Sequence, residues 1–126
     1  KEEFRKYVLE GFLYKLLDVA DNIQRAISAS KQKHNYNSLL EGIDIVEKQF
    51  LDILKSHGAI PLIIKLGDKF NPNSHHAVSH EPSDKYPADT IIRILQPGYQ
   101  IASRILRPAM VIVSSGKSKK EIKQAD

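Results

Sequence analysis

Residues 50–66 read FLDILKSHGAIPLIIKL, and the change of rule inside this stretch decides the fold. Before it, Leu40, Ile43, Val46, Phe50 and Leu54 recur at steps of three or four, as one face of a helix requires. Gly58 supplies a helix stop, and Ile60 to Leu66 is a short apolar run of β type. Composition breaks at the same place. Residues 1–58 contain no Pro and only Gly11, Gly42 and Gly58, whereas residues 59–115 hold all six prolines.

Toward the N-terminus, Leu9, Phe12, Leu16, Val19, Ile23 and Ile27 keep the helical step and predict one long helix from about Glu3 to Ser30. At 1.5 Å per residue it is roughly 40 Å long. The polar stretch Ser30 to Asn37 reads as a loop, with Asn37 or Ser38 as N-cap, Glu41 as the capping-box partner, and a second helix from Ser38 to His57. Two antiparallel helices cannot enclose their apolar stripes. A homodimer completing a four-helix bundle is the economical solution, and docking on the chain's own second half is the alternative.

Toward the C-terminus, six β-type runs are expected: Ile60 to Leu66, Ala77 to His80, Thr90 to Leu95, Gln100 to Ile101, Ile105 to Leu106, and Met110 to Ser114. Turn formers separate them, among them Gly67-Asp68, Asn71-Pro72, Tyr86-Pro87 and Pro97-Gly98. The expectation is an α+β chain with a helical dimerisation domain over 1–58 and a small all-β domain over 59–115. A basic tail over 116–126, with Ile122 as its one apolar residue of note, is expected to be disordered.

Charge and composition exclude several classes. Residues 1–58 carry nine basic and nine acidic residues, residues 59–115 six and four, and the tail four and two, so the net +4 is spread thinly. No strand carries the paired aromatic platform on which single-stranded nucleic acid stacks, and Phe4, Phe12, Phe50 and Phe70 fall mostly at helical core spacing. Nucleic acid is not an expected partner. Neither is a membrane, because no apolar run approaches the roughly 20 residues a span needs. Zero Cys removes disulfides, thiolate metal sites and a Cys nucleophile together. His75, His76 and His80 match no closed zinc spacing, and on a strand only His76 and His80 share a face. No nucleophile elbow, phosphate loop or metalloprotease motif is present. The chain reads as a binding protein, not an enzyme, with no cofactor, metal or small-molecule substrate. It does not begin with Met, which is expected of a piece of a longer protein.

A dense series of motifs runs through the β half: Phe70-Asn71-Pro72-Asn73-Ser74-His75-His76-Ala77-Val78, then Gln96-Pro97-Gly98-Tyr99, then Arg104-Ile105-Leu106-Arg107-Pro108-Ala109-Met110-Val111. With Leu16-Leu17-Asp18-Val19-Ala20-Asp21-Asn22-Ile23-Gln24-Arg25-Ala26 and Leu40-Glu41-Gly42-Ile43 in the helices, this pattern resembles the GrpE family over about residues 6–114. Family members are nucleotide exchange factors of DnaK-type chaperones.

The resemblance implies a homodimer with a long paired helix, a four-helix bundle and a β domain on each protomer. One β domain enters the chaperone's ATPase domain and helps hold its nucleotide cleft open, so that ADP leaves. A dimeric chaperone adaptor without exchange activity is the alternative. The resemblance implies bacterial cytoplasm, or alternatively the mitochondrial matrix, as the location.

By the same resemblance, Arg104 is the leading contact to the ATPase domain. Leu95 and Val113 match apolar contact positions and read equally well as core. Arg107 is a contact or a brace of the sheet, Met110 is core more readily than contact, and Tyr7 contacts the chaperone or packs on its stripe. Asn71, Pro72 and His75 build a structural turn. Gly98 permits the turn into the next strand with Tyr99 packed beneath it, and Pro108 belongs to the same structural motif. Gly42 costs about 1 kcal/mol relative to Ala in a helix and so marks a close approach, whereas Gly11 carries that cost without visible compensation.

Two departures from the pattern stand out. Ala102-Ser103 replaces a common Gly plus acidic residue before Arg104, so a positive φ there would strain Ala102. Arg93-Ile94 stands where acidic residues are frequent, which implies selective pairing with a chaperone.

Overall fold

The computed structural model describes residues 1–118, the side chain of Lys33 apart. The fold is α+β: α1 (Glu2–Lys33) and α2 (Tyr36–Ser56) precede β1 (Ala59–Pro61), β2 (His75–Glu81), β3 (Ile91–Gln96), β4 (Tyr99–Ile101), β5 (Arg104–Arg107) and β6 (Ala109–Ser114). The chain divides into two compact units, Lys1–His57 and the residues from Gly58 onward. No helix among the described residues is long and apolar enough to cross a membrane.

In the helical unit, α1 runs three residues past the expected Ser30, because Lys31, Gln32 and Lys33 are good helix formers and contain no breaker. His34 ends it in the left-handed region at φ 49°, its N–H donating to Ser30 O at 2.9 Å. The cap of α2 is Asn35, not Asn37 or Ser38: its extended backbone lets Oδ1 accept from Asn37 N–H at 3.0 Å. That places Ser38, not Glu41, at the third helical position, so no capping box forms.

The two helices run antiparallel, as descending pairs of neighbours demonstrate. The Phe12 ring meets the His57 ring edge-on with centroids 5.0 Å apart, Asn22 Nδ2 donates to Gln49 Oε1 at 2.7 Å, and Ala26 faces Gly42. A Cβ added at Gly42 would lie 3.0 Å from Ala26 Cβ. The helices of one chain thus approach closely at this pair of small residues. Nothing lies within 4 Å of a Cβ added at Gly11.

Val19 and Ile53 are the buried apolar residues of the pair. Ile23, Ile27, Leu40, Ile43 and Phe50 keep 43–52% of their surface exposed, and Leu9, Leu13 and Leu17 are similarly open. Much of both apolar stripes is therefore unpartnered within the unit.

In the β unit, β1-β4-β5 form one antiparallel sheet and β2-β6-β3 another. Strand β6 is central to the second sheet, parallel to β2 and antiparallel to β3. The long return from β2 to β6 carries β3, β4 and β5, which satisfies the need of a parallel pair for an extended crossover. Ile91, Ala109, Val111 and Val113 form the fully buried core, with Ile64, Phe70 and Ala77 packed against it.

The expected strand Ile60 to Leu66 shrinks to Ala59–Pro61. Pro61 lacks the N–H a ladder needs, and the backbone beyond it finds other partners. Leu62 N–H donates to Gly98 O at 2.9 Å, and Lys65 N–H to Asp68 Oδ2 at 2.9 Å. Ile64 packs inward while Ile63 stays 90% exposed, so this segment is a loop laid on the unit. The tail's first residue is anchored too: Gly116 N–H donates to Ser114 Oγ at 3.0 Å, and its carbonyl accepts from Ser83 N–H at 2.8 Å. The rest of the expected disordered tail, from residue 119, lies outside the described residues.

Candidate partner-binding surface

Strands β4 and β5 make a tight hairpin. Ile101 pairs with Arg104 across two turn residues, Ala102 and Ser103. Ala102 has φ 53°, and Ser103 is not in the left-handed region. A positive φ at the first central position alone is the pattern of a type II′ turn, which prefers Gly there. Ala102 accordingly pays the steric penalty of a Cβ against its own backbone, about 1–2 kcal/mol. The turn places exposed Arg104 as the first residue of β5, directly after a two-residue loop.

At the other end of β5, Arg107 turns back on the structure. Its Nη2 and Nε donate to Pro97 O at 2.8 and 3.3 Å, and its guanidinium lies 5.3 Å from the centroid of the Tyr99 ring. Arg107 therefore braces the Pro97-Gly98 corner, the brace being one of its two expected roles. Exposed Pro108 follows, ending β5 in one sheet before β6 begins in the other.

Gly98 is required for a reason other than the expected one. Its φ lies outside the left-handed region. A Cβ there would stand 2.6 Å from both Ala109 N and Leu62 Cδ1, and 3.0 Å from Arg107 O. Close backbone approach, not turn geometry, demands Gly. Leu62 and Ala109 crowd that position, and the Arg107 guanidinium lies over the Tyr99 ring.

The remaining candidate residues separate by exposure. Leu95, near the end of β3, is 46% exposed. Met110 is half-buried on β6. Val113 has no exposed surface and belongs to the core, which withdraws it as a surface contact. Its register opposite Ile91 on β3 and His80 on β2 places it on the central strand, a position its sequence motif does not disclose. Tyr7 is 76% exposed on α1 and belongs to the helical unit. Sequence reasoning did not single out Leu106, which is 55% exposed on β5 between the two arginines. Alternation along that strand was the available signal.

Asn71, Pro72 and His75 do form a turn. Asn71 Oδ1 accepts from Asn73 N–H at 3.0 Å, and its carbonyl accepts from Ser74 and His75 N–H at 3.1 and 2.8 Å. Asn71 N–H in turn donates to His75 Nδ1 at 2.9 Å. Burial pushes the His75 ring below its usual pKa of 6.5, outweighing the opposite pull of Asp68.

The arrangement is that of a helical hairpin with unpartnered apolar faces joined to a small β unit that presents Arg104 and Leu95 on braced strands. The GrpE family model matches residues 1–115, and the chain belongs to that family. It is 40% identical over 122 residues to Protein GrpE of Shewanella sp. (strain MR-7), covering 96% of this chain and 60% of the relative. Protein GrpE of Syntrophobacter fumaroxidans is 43% identical over 114 residues, covering 90% and 60%, and that of Mesorhizobium japonicum is 38% identical over 121 residues, covering 91% and 57%. The chain thus spans about three fifths of the length of these relatives.

Proposed function

We propose that this chain is the helical and β portion of a nucleotide exchange factor that binds the ATPase domain of a DnaK-type chaperone as a homodimer. The observation carrying this reading is the family match across both units, residues 1–115. Its exposed helical faces support the dimer: Ile23, Ile27, Leu40, Ile43 and Phe50 need a second hairpin to leave water. The bacterial relatives support a bacterial cytoplasmic setting.

The mechanism is a population shift. A partner that binds the open nucleotide cleft more tightly than the closed one favours opening by no more than its differential affinity. Factor and ADP must then weaken each other's binding reciprocally. Such work needs a stiff surface. Arg104 supplies a charged, fork-shaped donor at a tight turn, and Leu95 supplies an exposed apolar side chain for the partner to cover. Arg107, Gly98 and Val113 hold the strands that present them. Tyr7 and Met110 are lesser contacts in this reading.

The test follows release of a fluorescent ADP analogue from a bacterial DnaK-type chaperone, with and without the chain. Faster release is expected. An unchanged rate, with the chain folded and dimeric by light scattering and bound to the chaperone, would leave an adaptor without exchange activity. An Arg104→Ala variant that stays dimeric should release ADP more slowly than the parent, and equal rates remove Arg104 from the site.

A further inference from the structure

The Asn71–His75 turn places a titratable nitrogen where the backbone requires a permanent acceptor. A neutral imidazole accepts at one ring nitrogen and donates at the other, so acceptance from Asn71 N–H assigns the ring hydrogen to Nε2. Adding a proton at Nδ1 turns that acceptor into a donor pointed at another donor. We propose that this turn is an acid-sensitive latch, in which protonation of His75 expels the Asn71 amide and loosens the start of β2 from β6.

The same few residues connect the latch to the rest of the β unit. Ser74 O accepts from Ala109 N–H at 3.0 Å, which joins the turn to the first residue of β6. His75 also pairs with Ala109 in the parallel ladder. The Ala109 amide is in turn the atom on which Gly98 closes, beside the Pro97 carbonyl held by Arg107. Opening the turn therefore removes support from the corner between β3 and β4.

Among the described residues, the charged group that acts on the ring is the Asp68 carboxylate, which favours the cation and already accepts from Lys65 N–H. The Phe70 ring, 5.9 Å from the imidazole, and Ala109 on β6 bring no charge. Burial exceeds the Asp68 effect, so the folded state prefers the neutral ring. The depressed titration sets the sign: the contribution is fully present above the usual value of 6.5 and is lost as pH falls through the folded value. Each unit between the folded and unfolded titrations makes a tenfold change in the unfolding constant.

The latch is tested on the chain alone, without a chaperone, so its failure is distinct from failure of the exchange reading. Urea unfolding of the β unit, followed through the amide NMR signals of β6, is compared at about pH 7.5 and about pH 5.5 for the parent and His75→Asn. Asn offers an amide oxygen that accepts but does not titrate in this range. The parent's unfolding constant should rise on acidification by a larger factor than the variant's, and equal pH slopes overturn the proposal. Should the variant not fold, the ring nitrogen shifts of the parent decide. They should report the Nε2–H tautomer and a His75 titration below the usual value of 6.5. An Nδ1–H tautomer, or a midpoint at or above 6.5, overturns it.

Discussion

Replacing Gly98 by Ala tests the packing of the β unit at its tightest point. The new methyl would lie 2.6 Å from Ala109 N and from Leu62 Cδ1 and 3.0 Å from Arg107 O. Leu62 has a side chain that turns aside at modest cost. Ala109 N does not, because it donates to Ser74 O at 3.0 Å and belongs to the central strand. Overpacking against fixed backbone costs about 1–3 kcal/mol. The lower entropy of the unfolded Ala chain offsets about 0.4–1 kcal/mol of that, and no positive-φ penalty applies. A net loss of about 1.3 kcal/mol lowers the melting temperature of a unit this small by roughly 5–10 °C. Thermal unfolding followed through the amide NMR signals of β6 reads the β unit, while dichroism at helical wavelengths reads the helical unit. Gly11→Ala is the control, since the space around that Cβ is open and a helix interior gains about 1 kcal/mol from the change. A Gly98→Ala β unit that melts at or above the parent temperature would refute this reading of the corner.

Further outcomes follow from single contacts. Ala102→Gly should stabilise the β unit by about 0.5–1 kcal/mol, the relief of φ 53° less the backbone entropy of Gly, and a lower urea midpoint would contradict the type II′ assignment. Asn35→Ala removes the cap of α2 and should cost about 1 kcal/mol in helical melting, with no change meaning that the Asn37 amide is satisfied elsewhere. Arg107→Lys keeps the charge but not the paired donation to Pro97 O, so amide exchange at Gly98 and Tyr99 should quicken several-fold; protection equal to the parent's would deny the brace.

The helices were legible because their periodicity and their stops are local properties. Spacing from Leu9 to Ile27 and from Leu40 to Leu54 located both, and Gly58 at φ 90° ends the second as its position suggested. What local pattern could not decide was competition between neighbours for one role. Asn35, Asn37 and Ser38 are all capable caps, and the left-handed His34 selected Asn35. Ile60 to Leu66 has strand composition, yet the donor missing at Pro61 and the Leu62 bond to Gly98 O make it a loop.

The candidate surface was legible in its residues but not in their division of labour. Arg104 and Arg107 belong to one motif, and only the return of Arg107 to the Pro97 carbonyl distinguishes brace from exposed side chain. Val113 became core through its place on a central strand, and parallel pairing of β2 with β6 is a long-range property that strand periodicity does not encode.

The central proposal, that the β unit prefers a chaperone with its nucleotide cleft open, is tested most directly by titration calorimetry of the chain into the ATPase domain of a DnaK-type chaperone. Two preparations are compared, one free of nucleotide and one saturated with ADP. The claim predicts markedly tighter binding to the nucleotide-free domain, by the same factor with which the chain weakens ADP. Equal affinities for the two preparations would contradict it.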